Sequence, residues 1–129
     1  MTGTPEGIIP IALDAMGGDH GPVVMVPAAL KAIDSGGVAV ALVGDEAALQ
    51  VELDKYDTPA KKLIQVVPSD GVVQEDESPA RAFRSKPNAS VFVSAGAVKM
   101  GKAAGFVSMG STGASIAAAT VVFGTLNGI

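Results

Sequence analysis

Residues 8–34 read IIPIALDAMGGDHGPVVMVPAALKAID, and this stretch decides the fold. The apolar run at 8–13 predicts a short buried strand, with Pro10 near its start because proline offers a sheet no N–H group. A glycine-rich polar loop follows, and Pro22 suits the first turn of a helix. The helix predicted over 23–34 carries large apolar residues on one face. The stretch therefore predicts a strand, a loop and a helix in that order.

The rest of the chain continues this alternation. Further strands are predicted over 38–43, 63–67 and 105–109, and further helices over 46–56, 79–84 and 89–102, with an alanine-rich helix that ends near Gly124. Such alternation argues for a parallel sheet with right-handed crossovers. We therefore predict an α/β fold, a parallel three-layer sheet.

Helix ends and burial give further expectations. Asp45 is expected to cap the second helix, Asn88 to cap the helix over 89–102, and Ser78 to cap a helix whose first turn holds Pro79. The last helix is apolar nearly all round, which predicts that it is buried. Since no residues follow that would cover it, we expect the chain to be an incomplete part of a larger fold.

Length, charge and composition limit the function. At 129 residues the chain is about the size of one domain. We expect residues 1–7 to form a loose tail and residues 8–129 to be the N-terminal part of a single α/β domain. The net charge of −4 argues against nucleic-acid binding, which needs a basic face. The absence of cysteine excludes disulfides, thiolate metal sites and a cysteine nucleophile.

No part of the sequence predicts export or membrane insertion. Residues 1–7 carry no lysine or arginine and so lack the basic start of a signal peptide. No apolar run approaches the roughly 20 residues of a membrane-spanning helix. We expect a soluble, cytoplasmic protein, and the sequence leaves peripheral membrane contact open.

The loop Asp14–Pro22 is the first candidate site. Ligands of open parallel sheets bind at the carboxyl ends of the strands. Gly17-Gly18 allows a sharp turn and a close approach to a ligand, and the helix that follows points free N–H groups at an anion. His20, of a residue type that exchanges protons near neutral pH, could be oriented by Asp14 or Asp19. The alternative is a tight turn in which Asp19 or His20 caps the helix. The spacing fits neither a G-x-G-x-x-G motif nor a P-loop.

The second candidate site is Gly110-Ser111-Thr112-Gly113, after the last strand. Glycine and small hydroxyl residues at a helix start can form a cradle for phosphate or for an oxyanion. The alternative is an ordinary N-cap supplied by Ser111 or Thr112. Two such loops at the carboxyl ends of strands favour a shared anionic site.

The third candidate is the basic group Arg81, Arg84 and Lys86, which follows an acidic connection over 69–78. These side chains could clamp a phosphate or an acidic partner. The alternative is a solvated helix face, the usual fate of charged runs.

Other chemistry finds little support. There is no G-x-S-x-G motif for a serine nucleophile, and a single histidine offers few options for a triad. Histidine and carboxylate ligands are too few to predict a metal site. We predict neither a metal nor a cofactor.

Together these motifs resemble those of the PlsX family, the phosphate acyltransferases of bacterial phospholipid synthesis. The resemblance covers almost the whole chain. The matching stretches, in order, are IALDAMGGDH (11–20), LVGD (42–45), DESP (76–79) with Arg81, Ala82 and Arg84, and VSMGSTGA (107–114).

The resemblance implies a Rossmann-like, isopropylmalate-dehydrogenase-like fold and a specific reaction. In that reaction, inorganic phosphate attacks the thioester of a fatty acyl–acyl carrier protein, which gives acyl phosphate and free carrier. A glycerol-3-phosphate acyltransferase then uses the acyl phosphate. No enzyme-bound acyl intermediate is needed, in agreement with the lack of a nucleophile motif. The resemblance also implies a homodimer at full length.

The resemblance implies roles for the three candidate groups. The loops containing Gly17-Gly18 and Gly110–Gly113 would hold phosphate or the thioester oxygen, and the basic group would neutralise phosphate or meet the acidic carrier. His20, Asp14 and Asp19 would form the catalytic set, through proton handling or loop geometry.

Two departures from the family pattern matter. Ser111 stands where members commonly have asparagine, so the amide donors of that position are lost. Family proteins are also more than twice as long as this chain. Two alternatives remain open: a phosphotransacetylase-like enzyme that uses coenzyme A, and a truncated, non-catalytic fragment that binds an anion or a partner.

Overall fold

The computed structural model describes residues 7–128. The predicted loose tail lies outside the described residues, apart from Gly7. The strands are β1 (Ile11–Asp14), β2 (Val40–Gly44), β3 (Ile64–Pro68) and β4 (Gly105–Ser108). The helices are α1 (Pro22–Asp34), α2 (Glu46–Leu53), α3 (Pro79–Ser85), α4 (Ser90–Lys99) and α5 (Thr112–Phe123), with a 3-10 helix at Pro59–Leu63.

The four strands form one parallel sheet in the order β3-β2-β1-β4. The predicted parallel α/β fold is therefore confirmed. The chain runs outward from β1 to β3 and then crosses back to place β4 on the other side of β1. The strand order thus reverses between β1 and β4, which is the switch point where doubly wound sheets bind their ligands. At this point Asp14 of β1 lies in register with Ser108 of β4.

Helices cover both faces of the sheet, which gives the three predicted layers. On one face, α1 and α2 pack on Leu13 and Leu42 through Val26, Leu30 and Leu49. On the other face, Ala97 of α4 packs with Ala12 and Val43. Every residue of β2 is buried, as expected for a parallel strand that is covered on both sides.

A separate apolar cluster joins α3, α4 and α5. The rings of Phe83 and Phe92 meet edge to face at 5.0 Å, and Ala114 and Ala118 of α5 pack into the same cluster. The cluster also includes Val73, from the connection between β3 and α3. It therefore holds that connection and the start of α5 together, near the switch point.

The predicted caps were right at α2 and wrong at α4. The carboxylate of Asp45 accepts a hydrogen bond of 2.9 Å from the Ala48 amide. At α4 the N-cap is Ala89, which makes no side-chain hydrogen bond. Asn88 lies one residue too early, and its carbonyl accepts the Asp70 amide at 2.8 Å. The Ser78 hydroxyl caps α3 through a long contact of 3.5 Å to the Arg81 amide.

The prediction that the last helix is buried was wrong. Ala114 and Ala118, one turn apart, are its buried residues. Ile116 is 62% exposed and Val121 is 58% exposed. Within residues 7–128, α5 packs mainly against α3 and α4, so these neighbours cover one face of the helix.

Candidate functional site

A hydrogen bond between β1 and β4 joins the two glycine loops. The first glycine loop (residues 14–22) follows β1, and the second glycine loop (residues 108–113) follows β4. The Ser108 hydroxyl donates a hydrogen bond of 2.8 Å to Oδ2 of Asp14. The two loops are therefore held side by side at the switch point.

The carboxylate of Asp14 organises the first glycine loop as well. Its Oδ1 accepts hydrogen bonds from the amides of Met16 at 3.1 Å and Gly17 at 3.0 Å. Asp14 is only 2% exposed, and burying a carboxylate is costly unless it is hydrogen-bonded. Three donors meet that need. This arrangement is that of a structural centre, and the predicted proton-handling role of Asp14 stays a prediction.

Ser108 extends the same network into the second glycine loop. Its oxygen accepts a hydrogen bond of 3.2 Å from the Gly110 amide while its proton goes to Asp14. An amide, a hydroxyl and a carboxylate thus form a continuous chain across the two loops. Sequence reasoning missed Ser108, although it stands at the carboxyl end of a predicted strand, where site residues are expected.

Glycine is required where the two loops touch. A Cβ added at Gly17 would lie 2.9 Å from the Gly110 nitrogen and 3.0 Å from Oδ2 of Asp14, distances that leave no room for it. Gly18 has a φ of +81°, a conformation that residues with a side chain rarely adopt. The two glycines of the predicted motif therefore serve close packing and an unusual backbone turn.

The start of α5 is capped by Ser111, as the alternative for this loop supposed. The Ser111 oxygen accepts a hydrogen bond of 3.2 Å from the Ala114 amide, and the residue is 7% exposed. The amides of Thr112 and Gly113 have no acceptor within the helix, because the first turn lacks preceding carbonyls. These amides and the helix dipole favour an anion at this end.

A small cavity of about 120 Å³ lies between the two glycine loops and a third segment. Its volume is well above the ~15 Å³ that one water needs. The first loop contributes 17–19, the second contributes 109–111, and the connection between β3 and α3 contributes 72–75. The sequence marks that connection only as acidic, and nothing local in it indicates a place at the site.

The charged residues that line this cavity are acidic. Asp19 and Glu75 line it, and none of the described lining residues is a lysine or an arginine. Gln74, Ser111 and the backbone of the glycine loops are the uncharged polar part of the lining. An anion bound here would need positive charge from further away than the lining itself.

The basic group divides into two parts. Arg81 and Arg84 are exposed on α3, which begins against the second glycine loop: a Cβ added at Gly113 would lie 3.4 Å from Cγ of Pro79. Lys86 is held elsewhere. Its Nζ lies 2.7 Å from Oε1 of Glu77, and this hydrogen bond, with one from the Gln74 amide, lowers the pKa of the Glu77 carboxyl.

His20 and Asp19 lie exposed at the tip of the first glycine loop. The alternative in which one of them caps α1 is wrong. The N-cap is Gly21, with a φ of +59°, and no side chain caps the helix. Neither side chain therefore caps α1, and the catalytic role of both residues stays a prediction.

Comparison with known proteins decides the family. The sequence model of the family described as "Fatty acid synthesis protein" matches residues 9–129. The chain belongs to this family. The PlsX resemblance is thereby confirmed, since relatives that are 42–44% identical to the chain are named phosphate acyltransferase.

Two relatives show how much of each chain the match covers. The chain is 44% identical over 120 residues to a phosphate acyltransferase of Shewanella sp. strain ANA-3, covering 92% of this chain and 35% of the relative. It is 43% identical over 129 residues to the phosphate acyltransferase of Deinococcus radiodurans, covering 100% of this chain and 35% of the relative. The chain thus spans about a third of the length of these family members.

The described residues also bear on metal binding and on membrane insertion. Residues 7–128 hold no group of three or more histidine, cysteine, aspartate or glutamate side chains placed to bind a metal ion. Within the same range, none of the helices has the length and apolar character needed to cross a membrane.

Proposed function

We propose that this chain forms the phosphate-binding part of an enzyme that transfers a fatty acyl group from acyl–acyl carrier protein to inorganic phosphate. The names of the relatives support the phosphate acyltransferase chemistry. The observation that carries the proposal for this chain is the hydrogen bond between Asp14 and Ser108, which brings two glycine loops together at the switch point of the sheet. The acyl phosphate would then be the substrate of a glycerol-3-phosphate acyltransferase.

The reaction needs positioning more than a protein nucleophile. An oxygen of phosphate attacks the thioester carbonyl carbon, so a C–O bond forms and the C–S bond breaks. The carrier leaves as a thiolate, which takes up a proton to give the free thiol. Because phosphate is itself the nucleophile, the enzyme must hold it beside the thioester and stabilise the negative charge on the carbonyl oxygen.

Backbone groups of the two glycine loops are the proposed anion ligands. The free amides of Thr112 and Gly113 point out of the N-terminus of α5, where the helix dipole is positive. Ser111 uses its oxygen as the helix cap and keeps a hydroxyl proton that it can donate. The turn at Gly17-Gly18 brings a second stretch of backbone to the cavity that Ser111 lines.

Side chains supply charge and protons in this proposal. Arg81 and Arg84, on the helix that starts beside the second glycine loop, would offset the negative charge of Asp19 and Glu75 and hold phosphate or the acidic carrier. His20 would deliver the proton to the leaving thiolate, a task suited to a histidine side chain. A cytoplasmic location, a homodimer at full length and peripheral membrane contact complete the proposal.

The test measures release of free carrier from acyl–acyl carrier protein, with and without inorganic phosphate. The enzyme should be a protein of full family length that carries these 129 residues. We expect release that depends on phosphate and yields acyl phosphate, and release without phosphate dependence would refute the proposal. Repeating the assay with acyl–coenzyme A in place of acyl–acyl carrier protein tests the phosphotransacetylase-like alternative, which predicts that coenzyme A is the preferred acyl carrier. Phosphate binding without any turnover would favour the non-catalytic alternative.

A further inference from the structure

Lys86 reaches back from the end of α3 to the segment before that helix. Its Nζ donates hydrogen bonds to Oε1 of Glu77 at 2.7 Å and to the carbonyl oxygen of Val72 at 3.1 Å. One ammonium group thus ties together both ends of the segment 72–77. The contact with Val72 spans 14 residues of sequence, so it fixes the path of the chain and not merely a helical turn.

Glu77 closes the middle of the same segment. Its Oε1 accepts the Gln74 amide at 3.0 Å, and its own amide donates to the Gln74 carbonyl at 3.2 Å. The Lys86 and Gln74 hydrogen bonds lower the pKa of Glu77, because both favour its ionised carboxylate. We name Lys86, Glu77 and their hydrogen bonds to this segment the latch.

The segment held by the latch forms the third wall of the cavity. Residues 72–75 face the two glycine loops across it. The base of the segment is fixed separately, because the Asp70 amide bonds to the Asn88 carbonyl at 2.8 Å and the Ser90 amide to the Gly71 carbonyl at 3.2 Å. Val73 of this segment is buried in the apolar cluster of α3, α4 and α5, so the latch and that side chain together set the upper part of this wall, which carries Glu75.

The solvent exposure of Lys86 and Glu77 indicates the role of the latch. The side chains of Lys86 and Glu77 are 38% and 27% exposed, and ion pairs this open to water add little to global stability. Because the pair holds a cavity wall and adds little to the free energy of unfolding, its main effect is on the shape of the cavity. Its second effect is to keep the Lys86 ammonium away from the cavity lining.

We infer that Lys86 is a positioning residue, which acts through Glu77 to set the 72–77 segment as the third wall of the anion cavity and does not itself bind the anion. This inference rests on the proposed function for the identity of the anion, inorganic phosphate. It differs from the expectation in which Lys86 neutralises phosphate directly.

A variant of Glu77 distinguishes the two possible roles of Lys86. If Lys86 positions the wall, removing the Glu77 carboxylate raises the KM for phosphate, and if Lys86 binds phosphate directly, it does not. In a protein of full family length, Lys86→Met and Glu77→Gln should each raise the KM for phosphate about threefold to tenfold, a range that a few hydrogen bonds to charged groups can carry, with a smaller change in kcat. The double variant should be no worse than either single variant, because both break the same latch. Lys86→Arg should have a KM for phosphate close to that of the unmodified protein.

A direct phosphate ligand would behave differently. Glu77→Gln would then free Lys86 and leave the KM unchanged or lower it, while Lys86→Met alone would raise it, and that pattern overturns the inference. Lys55→Met is the matched control, because Lys55, just after the end of α2, pairs with Glu52 of α2 at 2.8 Å and neither residue lines the cavity. Its KM should equal that of the unmodified protein.

Hydrogen exchange on the 129-residue chain tests the latch without any activity. Amides of residues 72–77 should exchange faster in Lys86→Met and Glu77→Gln, but not in Lys55→Met. Unchanged exchange overturns the latch whatever the kinetics show. If the unmodified enzyme shows no phosphate-dependent turnover, the proposed function fails, while the exchange result still decides whether Lys86 holds the wall.

Discussion

The hydroxyl of Ser108 donates to the carboxylate of Asp14 across 94 residues of sequence. The two residues lie in register on neighbouring parallel strands, each at the carboxyl end of its strand. Their hydrogen bond makes one site out of two loops that are far apart in the chain.

Removing the Asp14 carboxylate should destabilise the fold more than removing an ordinary cap. Asp14→Ala leaves the Met16 amide, the Gly17 amide and the Ser108 hydroxyl without their acceptor, at a cost of about 3 kcal/mol or more in unfolding free energy. Asp45→Ala removes a carboxylate that caps α2 through one amide and should cost about 1 kcal/mol. Urea unfolding of both variants measures the difference, and equal losses would contradict the central role of Asp14.

Adding one methyl group at Gly17 should separate the two loops. The new Cβ would lie 2.9 Å from the Gly110 nitrogen, so the backbone has to move. We expect Gly17→Ala to lower phosphate-dependent turnover at least about tenfold, the effect of misplacing a bound reactant slightly. Gly96→Ala in α4 is the control: nothing lies within 4 Å of its Cβ position, so it should raise stability by about 0.5–1 kcal/mol. Similar turnover in both variants would argue against close packing of the loops.

Ser111 should tolerate asparagine, the residue that the family resemblance implies for this position. Ser111→Asn keeps a side-chain oxygen for the Ala114 amide, and asparagine is as good an N-cap as serine. Thermal or urea unfolding should therefore show little change. Ser111→Ala loses the cap and should cost about 1 kcal/mol. A loss of the same size in Ser111→Asn would show that the buried site cannot hold the larger amide.

His20 should matter for turnover and not for stability. Its side chain is exposed and does not cap α1, so His20→Ala should change the unfolding free energy by less than about 0.5 kcal/mol. If the ring donates the proton to the leaving thiolate, turnover should fall by about a hundredfold, the lower end of general acid–base effects. Steady-state assays with acyl–acyl carrier protein measure this. Near-normal turnover would leave His20 as a plain surface residue.

The Glu77 carboxylate should stabilise the fold only above acidic pH. Lys86 and the Gln74 amide lower its pKa in the folded state below the ordinary 4.5. Its contribution is therefore present above the unfolded-state pKa and is lost as pH falls through the folded-state value. The unmodified chain and Glu77→Gln should differ only by a small amount in urea midpoint at neutral pH, since so exposed a pair adds little stability, and should converge in acid. In a Lys86→Met background the pH-dependent difference should shrink, and a difference that persists in acid would contradict this assignment.

Much of the fold could be predicted because its signals are local. The apolar run of β2, the Asp45 cap and the first-turn proline of α1 each depend on a few neighbouring residues. Burial of α5 could not be read the same way, because an apolar helix does not reveal which of its faces meets a neighbour. Ala114 and Ala118 are covered, and Ile116 is not.

The site was harder to predict than the fold because its contacts are long-range. The glycine loops stood out by composition, but the Ser108 hydroxyl reaches Asp14 only through the register of β1 and β4. Residues 72–75 looked like a connection, since nothing local places them beside the glycine loops. Lys86 looked like a free cation, because its partner Glu77 lies nine residues earlier.

The close contact between Gly17 and Gly110 limits how the two loops can be engineered. A Cβ at Gly17 would lie 2.9 Å from the Gly110 nitrogen, so the backbone of the second loop limits what the first loop can carry at this position. A loop transplanted from another relative would fit only if its partner came with it. Libraries designed to change specificity should therefore vary the two loops jointly, because single-loop libraries would mostly sample clashes.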